Sequence, residues 1–265
     1  MYLEYWGLKD APFKNVPDRS VFFKSNPHEE ALVRLLYAVE HRKGAAMLTG
    51  EVGSGKTTIS RVLANLLPKD RYEIKTIVNP ALNSVDLIRA LLLELGERAD
   101  EDSKTILLDR LKKRLAQNAE QNISTVMIID EAHMIKDQSS FEELRMLLNL
   151  QSDQQFLITL IILGQPPLKE KISDLKPLKE RISIKYDLSP LDTKDTIRYI
   201  LFRLKKAGAQ RGIFSKEAVQ LIFKYAEGIP LRINNVCERS LLIGMMMKAR
   251  VVDKKIVNYA IEDLK

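Results

Sequence analysis

A glycine-rich segment at residues 50–57 has the composition and spacing of a phosphate-binding loop. Its sequence, GEVGSGKT, fills every specified position of the pattern G-x-x-x-x-G-K-[ST]. Glycines allow successive backbone N–H groups to turn toward phosphate oxygens, and the dipole of a following helix adds positive charge. We therefore expect Lys56 to reach the β and γ phosphates of ATP and the Thr57 hydroxyl to bind Mg²⁺; a chance glycine-rich turn is the alternative. The residues predicted to bind nucleotide here are Gly50, Glu51, Val52, Gly53, Ser54, Gly55, Lys56, Thr57 and Thr58.

Two carboxylates follow an apolar run at residues 126–129. At the end of a buried strand, Asp130 can hold Mg²⁺ and Glu131 can polarise an attacking water. Carboxylates that merely cap a strand are the alternative, but the phosphate loop upstream favours the catalytic interpretation. The tetrapeptide Asp-Glu-Ala-His at residues 130–133 also resembles a helicase motif. Such a helicase needs a second domain of the same kind, which we do not expect from this sequence.

Two further side chains lie next to other apolar runs. Gln165 follows residues 157–163, so it would lie beside Asp130 if the two strands are neighbours, and it could orient the water or contact the γ-phosphate. The alternative is a turn amide bonded to its own backbone. Arg181 precedes residues 182–188 and could reach the nucleotide of a neighbouring subunit. Its alternative is a surface arginine paired with Glu180.

Strands and helices alternate along most of the chain, which predicts a parallel sheet covered by helices on both faces. After Pro190 the strand patterns stop, so we predict an α/β domain over residues 1–190 and an all-helical domain over 191–265. Asn83 and Ser84 are candidate helix caps, and Ser139 with Glu142 fits a capping box. The predicted strands are 45–49, 73–78, 125–129, 157–163 and 182–188. The predicted helices are 28–42, 57–67, 85–95, 105–118, 139–150, 195–207, 216–227, 231–249 and 254–264.

The charge is distributed unevenly. The chain has 265 residues, of which 42 are Lys or Arg and 35 are Asp or Glu, giving a net charge of +7. Residues 191–265 carry the whole surplus, with 15 basic and 8 acidic residues, which favours an anionic partner such as duplex DNA. No apolar run approaches the roughly 20 residues of a membrane span, no signal peptide is recognised, and Cys237 is the single cysteine. We therefore expect a soluble cytoplasmic protein.

Together these features resemble the AAA+ ATPases, and within them the general secretion pathway protein A (ExeA-like) group. The resemblance implies a P-loop NTPase sheet domain with a C-terminal helical AAA+ lid, bound ATP and Mg²⁺, and a homo-oligomer. It suggests Gln165 as sensor 1 and Arg181 as an arginine finger acting in trans. The motifs that carry it are Tyr5-Trp6-Gly7-Leu8, Pro12-Phe13, Pro17-Asp18, His28 to Leu32, Leu48 to Gly53, Asp130 to His133, Gly164-Gln165-Pro166, Gly228-Ile229-Pro230 and Arg232-Ile233-Asn234.

The resemblance is incomplete at the lid. Similar lids place the sensor-2 arginine in the pattern Gly-x-Pro-Arg, but this chain has Leu231 at that position and Arg232 one residue later. One residue along a helix is a rotation of about 100°, so Arg232 is either a displaced sensor or a lid arginine paired with an acid such as Glu238. His28 resembles a family position near the adenine pocket, with a helix-start cap as its alternative.

The leading hypothesis is an ATPase that assembles or remodels a secretion- or pilus-related protein complex. Longer members of the group act through a transmembrane segment and a peptidoglycan-binding region, neither of which we recognise here, so any association with the inner membrane is expected through partners. One alternative is an ATP-dependent, DNA-binding regulator of the transposition type. Another is a slow nucleotide-gated scaffold.

Overall fold

The computed structural model describes residues 1–15, 22–78, 80–152 and 155–265. The chain divides into two compact units. The helical unit consists of Met1–His28, Glu51–Thr58 and Ser189–Lys265, and the sheet unit of Glu29–Gly50 and Ile59–Leu188. Pro17 and Asp18, part of the N-terminal motif, lie outside the described residues. The domain boundary after residue 190 stays a prediction.

The sheet unit contains a five-stranded parallel sheet with the order β2-β3-β4-β1-β5. The three central strands are almost wholly buried, because helices cover both faces and leave no polar side to the sheet. All five strands are parallel, so their carboxyl ends lie at one edge. The strands are β1 (Ala45–Gly50), β2 (Tyr72–Val78), β3 (Ser124–Asp130), β4 (Ile158–Gly164) and β5 (Ile182–Leu188). The predicted parallel sheet is confirmed.

Two of the helices that flank the sheet begin at a short polar side chain that caps them. Asn83 accepts hydrogen bonds from the backbone N–H groups of Val85 and Asp86, as predicted for a cap. The capping box predicted at Ser139 and Glu142 is wrong. Asp137 caps that helix instead, and the Glu142 carboxylate accepts from Arg145 rather than from the start of the helix. The helices are α2 (Asn26–Glu40), α3 (Lys56–Leu66), α4 (Ser84–Glu94), α5 (Lys104–Glu120), α6 (Gln138–Leu147), α7 (Pro167–Asp174) and α8 (Lys176–Arg181).

The helical unit joins the N-terminal segment to the C-terminal helices. Trp6 and Phe13 are 2% exposed and belong to the same hydrophobic core as the C-terminal helices, so the N-terminal segment covers that core. The Trp6 indole N–H donates to the carbonyl of Leu241 at 2.8 Å. The helices are α1 (Tyr2–Trp6), α9 (Thr193–Lys206), α10 (Lys216–Ala226), α11 (Pro230–Met246) and α12 (Lys254–Asp263). Among the described residues, no helix combines the length and apolar character needed to cross a membrane.

Candidate functional site

The phosphate loop connects the carboxyl end of β1 to the first turn of α3. Gly53 and Gly55 have φ angles of 76° and 107°, values that side-chain-bearing residues rarely adopt. The backbone N–H of Ser54 donates to the carbonyl of Glu51 at 3.1 Å, which closes the turn. Alternating backbone signs of this kind direct successive N–H groups toward one side, as an anion-binding concavity requires.

The polar side chains of this loop fit a phosphate group. The Lys56 side chain is 5% exposed, and its ammonium donates to the carbonyl of Glu51 at 2.9 Å, so the lysine folds back over the loop. The Ser54 hydroxyl is buried and has no hydrogen-bond partner among the residues that the structure describes. A buried, unpartnered hydroxyl is costly unless a ligand or a water completes it. Thr57 and Thr58, in the first turn of α3, are partly exposed.

One residue of α11 contacts the loop directly. The backbone N–H of Leu231 donates to the carbonyl of Gly53 at 3.2 Å. A Cβ atom built on Gly53 would lie 2.2 Å from the Cβ of Leu231, so the two backbones are as close as a glycine permits. Leu231, which occupies the position of the sensor-2 arginine in similar lids, therefore makes an apolar contact with the phosphate loop. The departure from the family pattern at Leu231 is visible in the sequence, but its contact with the phosphate loop is not.

His28 supports the same loop from α2. One ring nitrogen, Nε2, lies 2.9 Å from the carbonyl of Ser54, and the other, Nδ1, lies 2.7 Å from the Ser25 hydroxyl. Burial lowers the pKa of His28, while the Ser54 carbonyl and the charge of Asp195 act in the opposite direction. A neutral ring with its proton on Nε2 satisfies both contacts. The His28 ring thus holds the loop backbone rather than the N–H groups of its own helix.

Arg232 forms an ion pair on the surface. Its guanidinium lies 2.7 Å from the carboxylate of Glu227, and both side chains are exposed. Glu238, the acid named as the alternative partner, accepts a hydrogen bond from the Tyr2 hydroxyl instead. The sensor-2 role of Arg232 stays a prediction.

The two carboxylates of the sheet unit lie at the carboxyl end of β3. Asp130 is 3% exposed, and one of its carboxylate oxygens accepts the backbone N–H of Glu131 at 2.9 Å. Glu131 has a φ angle of 57°, which turns the chain sharply after the strand. A short 3₁₀ helix, Ala132–Met134, follows directly. The strand end and the turn thus give the two adjacent carboxylates different surroundings, one buried and one half-exposed.

Gln165 and His133 both contact the side chain of Glu131. Because β3 and β4 are neighbours, the end of β4 brings the Gln165 amide nitrogen to 3.5 Å from Oε2 of Glu131. The ring nitrogen Nδ1 of His133 lies 3.2 Å from the same oxygen. No separate role for His133 is predicted from the sequence. The one hint in the sequence is that His133 lies two residues after Glu131, but the turn that brings their side chains together is too short to predict.

Arg181 ends α8 immediately before β5. Its guanidinium donates to the carbonyl of Leu148 at 3.1 Å, and it forms no ion pair with Glu180 among the described contacts. The side chain is half-buried. Its role toward a neighbouring subunit stays a prediction.

The candidate metal ligands of this chain are few, and they are oxygen donors. In the described part of the chain, no group of three or more His, Cys, Asp or Glu residues could enclose a metal ion. Mg²⁺ commonly needs only one or two protein oxygens, with waters and substrate phosphates completing its octahedron. A hydroxyl at Thr57 and a carboxylate at Asp130 are donors of the kind that Mg²⁺ prefers, and their role as its ligands stays a prediction.

A parallel sheet whose first strand leads into a phosphate loop, followed in the chain by C-terminal helices, defines a P-loop NTPase of the AAA+ class. The model of the AAA domain family matches residues 39–172. The chain belongs to this family, whose members are generally nucleotide-binding ATPases.

Similar proteins agree with this assignment. The chain is 37% identical over 246 residues to general secretion pathway protein A of Aeromonas hydrophila, covering 91% of this chain and 44% of that protein. It therefore spans less than half of this relative, and the resemblance predicted from the motifs is confirmed over that region.

Two solved structures share the fold at low identity. The Aeropyrum pernix ORC1 protein in complex with DNA gives a TM-score of 0.69 at 19% identity, over 96% of this chain and 69% of that one. The Aeropyrum pernix ORC2 protein, with ADPNP and ADP, gives 0.67 at 17% identity, over 93% and 72%.

Proposed function

We propose that this protein binds ATP and Mg²⁺ and hydrolyses ATP to ADP and phosphate. The observation that carries the proposal is an intact phosphate loop directly after β1, in a sheet whose β3 ends in Asp130 and Glu131. Membership of the AAA domain family and the nucleotides named with the ORC2 protein support it. Magnesium, when bound, would neutralise charge on the phosphates.

Each side chain has a distinct role in this reaction. Backbone N–H groups of the loop and the Lys56 ammonium bind the β and γ phosphates and offset the charge that develops there. Thr57 and Asp130 would hold the metal. Glu131 orients and polarises the attacking water, since phosphoryl transfer depends mainly on positioning and charge stabilisation. Gln165, at the end of the neighbouring strand, supports this water or the γ-phosphate.

We further propose that Arg181 acts on the nucleotide of a neighbouring copy in a homo-oligomer. An arginine supplied in trans contributes on the order of 10³–10⁵ in rate to enzymes of this chemistry. The proposed biological role is the assembly or remodelling of a secretion- or pilus-related complex, supported by the 37% identity to general secretion pathway protein A. The proposed location is the cytoplasm, with attachment to the inner membrane through partners.

A second candidate function is ATP-dependent binding of duplex DNA. Two observations favour it: the surplus of basic residues after residue 190, and the fold shared with an ORC1 protein described in complex with DNA. Phosphate contacts by lysine and arginine would make such binding strongly dependent on salt. A slow nucleotide-gated scaffold is a third possibility, favoured by Leu231 at the sensor-2 position.

Steady-state ATP hydrolysis tests the catalytic proposal. Glu131→Gln should keep nucleotide affinity and lose turnover by about 10²–10⁴-fold, the usual contribution of a positioned general base. The matched control is Glu120→Gln, at the exposed end of α5, which should behave as wild type. Full activity of Glu131→Gln would reject the assignment of Glu131. Addition of duplex DNA at near-physiological salt distinguishes the two candidate functions, because strong stimulation of ATP hydrolysis favours the DNA-binding alternative.

A mixing experiment tests the arginine in trans. Arg181→Ala subunits retain Glu131, and Glu131→Gln subunits retain Arg181, so each supplies what the other lacks. We expect a mixture of the two inactive variants to recover activity that neither has alone. Specific activity of the wild-type protein should also rise with its concentration. Failure of both effects would reject action in trans.

A further inference from the structure

A single ring nitrogen of His133 faces two groups, one that can only accept a hydrogen bond from it and one that can only donate a hydrogen bond to it. Nδ1 lies 3.2 Å from Oε2 of Glu131 and 3.4 Å from the backbone nitrogen of Gln165. A carboxylate only accepts, so Nδ1 must carry a proton to bond Glu131. The Gln165 N–H only donates, so Nδ1 must lack a proton to bond that group. The two hydrogen bonds cannot form together.

Of the two possible hydrogen bonds to this nitrogen, the one with the Glu131 carboxylate is the stronger. Hydrogen bonds to an ionised acceptor are shorter and roughly twice as strong as bonds between neutral groups, and the contact to Glu131 is the shorter of the two. The tautomer with its proton on Nδ1 is therefore favoured. The other neutral tautomer would place a lone pair against the Glu131 charge.

The main chain around His133 is fixed on two sides. The Lys171 ammonium, from α7, donates to the carbonyl of His133 at 2.5 Å and to that of Ile135 at 2.8 Å. Gly164, at the end of β4, is so close that an added Cβ would lie 3.3 Å from the backbone nitrogen of His133. The ring therefore projects from a held turn, as a preorganised contact requires.

Both contacts to Glu131 fall on the same oxygen. Gln165 and His133 each approach Oε2, and among the described residues no hydrogen bond is made to Oε1. The Glu131 side chain is 37% exposed, so a water can reach its carboxylate. If one oxygen of a carboxylate base is held by hydrogen bonds, its other oxygen points in a defined direction. Catalytic bases in other enzymes are oriented in the same way by a neighbouring group.

We propose that His133 is a positioning residue for Glu131: its Nδ1–H holds Oε2 so that Oε1 is directed at the attacking water. The inference rests on the proposed function, because it assigns His133 a role only through Glu131. His133 itself touches neither water nor nucleotide in this scheme. It sets the orientation of the carboxylate, and Gln165 assists from β4.

Two amide substitutions distinguish the role of Nδ1 of His133 from that of Nε2. The side-chain amide of His133→Asn can occupy the place of Nδ1, whereas that of His133→Gln extends to the place of Nε2. We expect His133→Asn to keep kcat within about threefold, and His133→Gln to lower it at least tenfold with KM unchanged. A misplacement of about 1 Å can cost around 10²-fold. Equal loss of kcat in both variants, or a loss expressed in KM, would overturn the proposal.

A double variant tests whether His133 acts through Glu131. In a Glu131→Gln background, single-turnover hydrolysis should show no further loss on adding His133→Gln. An undiminished further loss would show that His133 acts independently and would reject the inference while leaving Glu131 as the base. Wild-type activity of Glu131→Gln alone would instead reject Glu131 as the base, and the absence of hydrolysis by the wild-type protein would reject the proposed function.

Imidazole ¹⁵N NMR of the nucleotide-free protein provides a readout that needs no activity. The chain has 3 histidines, so His133→Gln identifies the resonance of His133 by its loss. At pH 8 we expect the proton on Nδ1 in the wild-type protein and on Nε2 in Glu131→Ala, where the Gln165 N–H becomes the remaining partner. A proton on Nε2 in the wild-type protein would overturn the inference.

Discussion

Replacement of Gly53 by alanine tests the contact between the phosphate loop and α11. Gly53 has a φ angle of 76°, and an added Cβ would lie 2.2 Å from the Cβ of Leu231. Ordinary carbon contacts lie at about 3.5–4.0 Å, so the loop or the start of α11 must move by more than 1 Å. Both atoms are Cβ atoms, so a change of side-chain rotamer cannot relieve the overlap.

The cost has two parts that can be estimated separately. A left-handed φ costs a residue with a Cβ about 1–2 kcal/mol, and overpacking costs about 1–3 kcal/mol more. Gly53→Ala should therefore lower the free energy of unfolding by about 2–5 kcal/mol. Gly7 is the matched control, since its φ angle is 68° and nothing lies within 4 Å of an added Cβ. Gly7→Ala should cost only the first part.

Urea denaturation of a double-mutant cycle isolates the contact. Leu231→Gly removes the Cβ that Gly53→Ala would strike, so the double variant should recover about 1–3 kcal/mol relative to the sum of the single changes. The reasoning is refuted if Gly53→Ala costs no more than Gly7→Ala, or if the coupling energy lies within about 0.5 kcal/mol of zero. Loss of nucleotide affinity in Gly53→Ala should be partly restored in the same double variant.

Three further predictions concern the scaffold. Trp6→Phe should cost about 1–3 kcal/mol of unfolding free energy, because the buried carbonyl of Leu241 loses its donor, whereas Trp6→Ala should cost about 3–5 kcal/mol; chemical denaturation measures both. Asn83→Ala should cost about 1 kcal/mol through loss of its cap, and Ser84→Ala much less. The pKa of His28 is lowered by burial, so the unfolded chain binds a proton more readily. Stability should therefore fall as pH drops below about 6.5, and His28→Gln should flatten that dependence.

The sheet and most helices could be predicted because their signals are local. Buried parallel strands appear as continuous apolar runs, and each predicted strand lies within one residue of an observed one. The helices α1, α7 and α8 were not predicted, since they have five to eight residues. Proline at the start of α7 and near the start of α8 also resembles a turn signal, although the first helical turn tolerates it.

The candidate site divides in the same way. The phosphate loop and the Asp130-Glu131 pair follow from short motifs, whose residue types and spacing are fixed by the chemistry. The Leu231–Gly53 contact joins residues far apart in the chain, and no local pattern encodes it. The approach of His133 to Glu131 depends on a left-handed Glu131, a conformation that sequence rules assign to glycine or asparagine.

The surroundings of the two candidate arginines favour Arg181 over Arg232 for the proposed role of supplying charge to a γ-phosphate. The guanidinium of Arg232 is paired with the Glu227 carboxylate at 2.7 Å, so its use would require breaking an ion pair. Arg181 contacts an uncharged main-chain oxygen, and among the described residues no carboxylate lies within ion-pair distance of it. An apolar Leu231 at the sensor-2 position leaves the loop without a lid arginine there. Arg181→Ala should therefore reduce turnover far more than Arg232→Ala, and the reverse order in steady-state hydrolysis would contradict this argument.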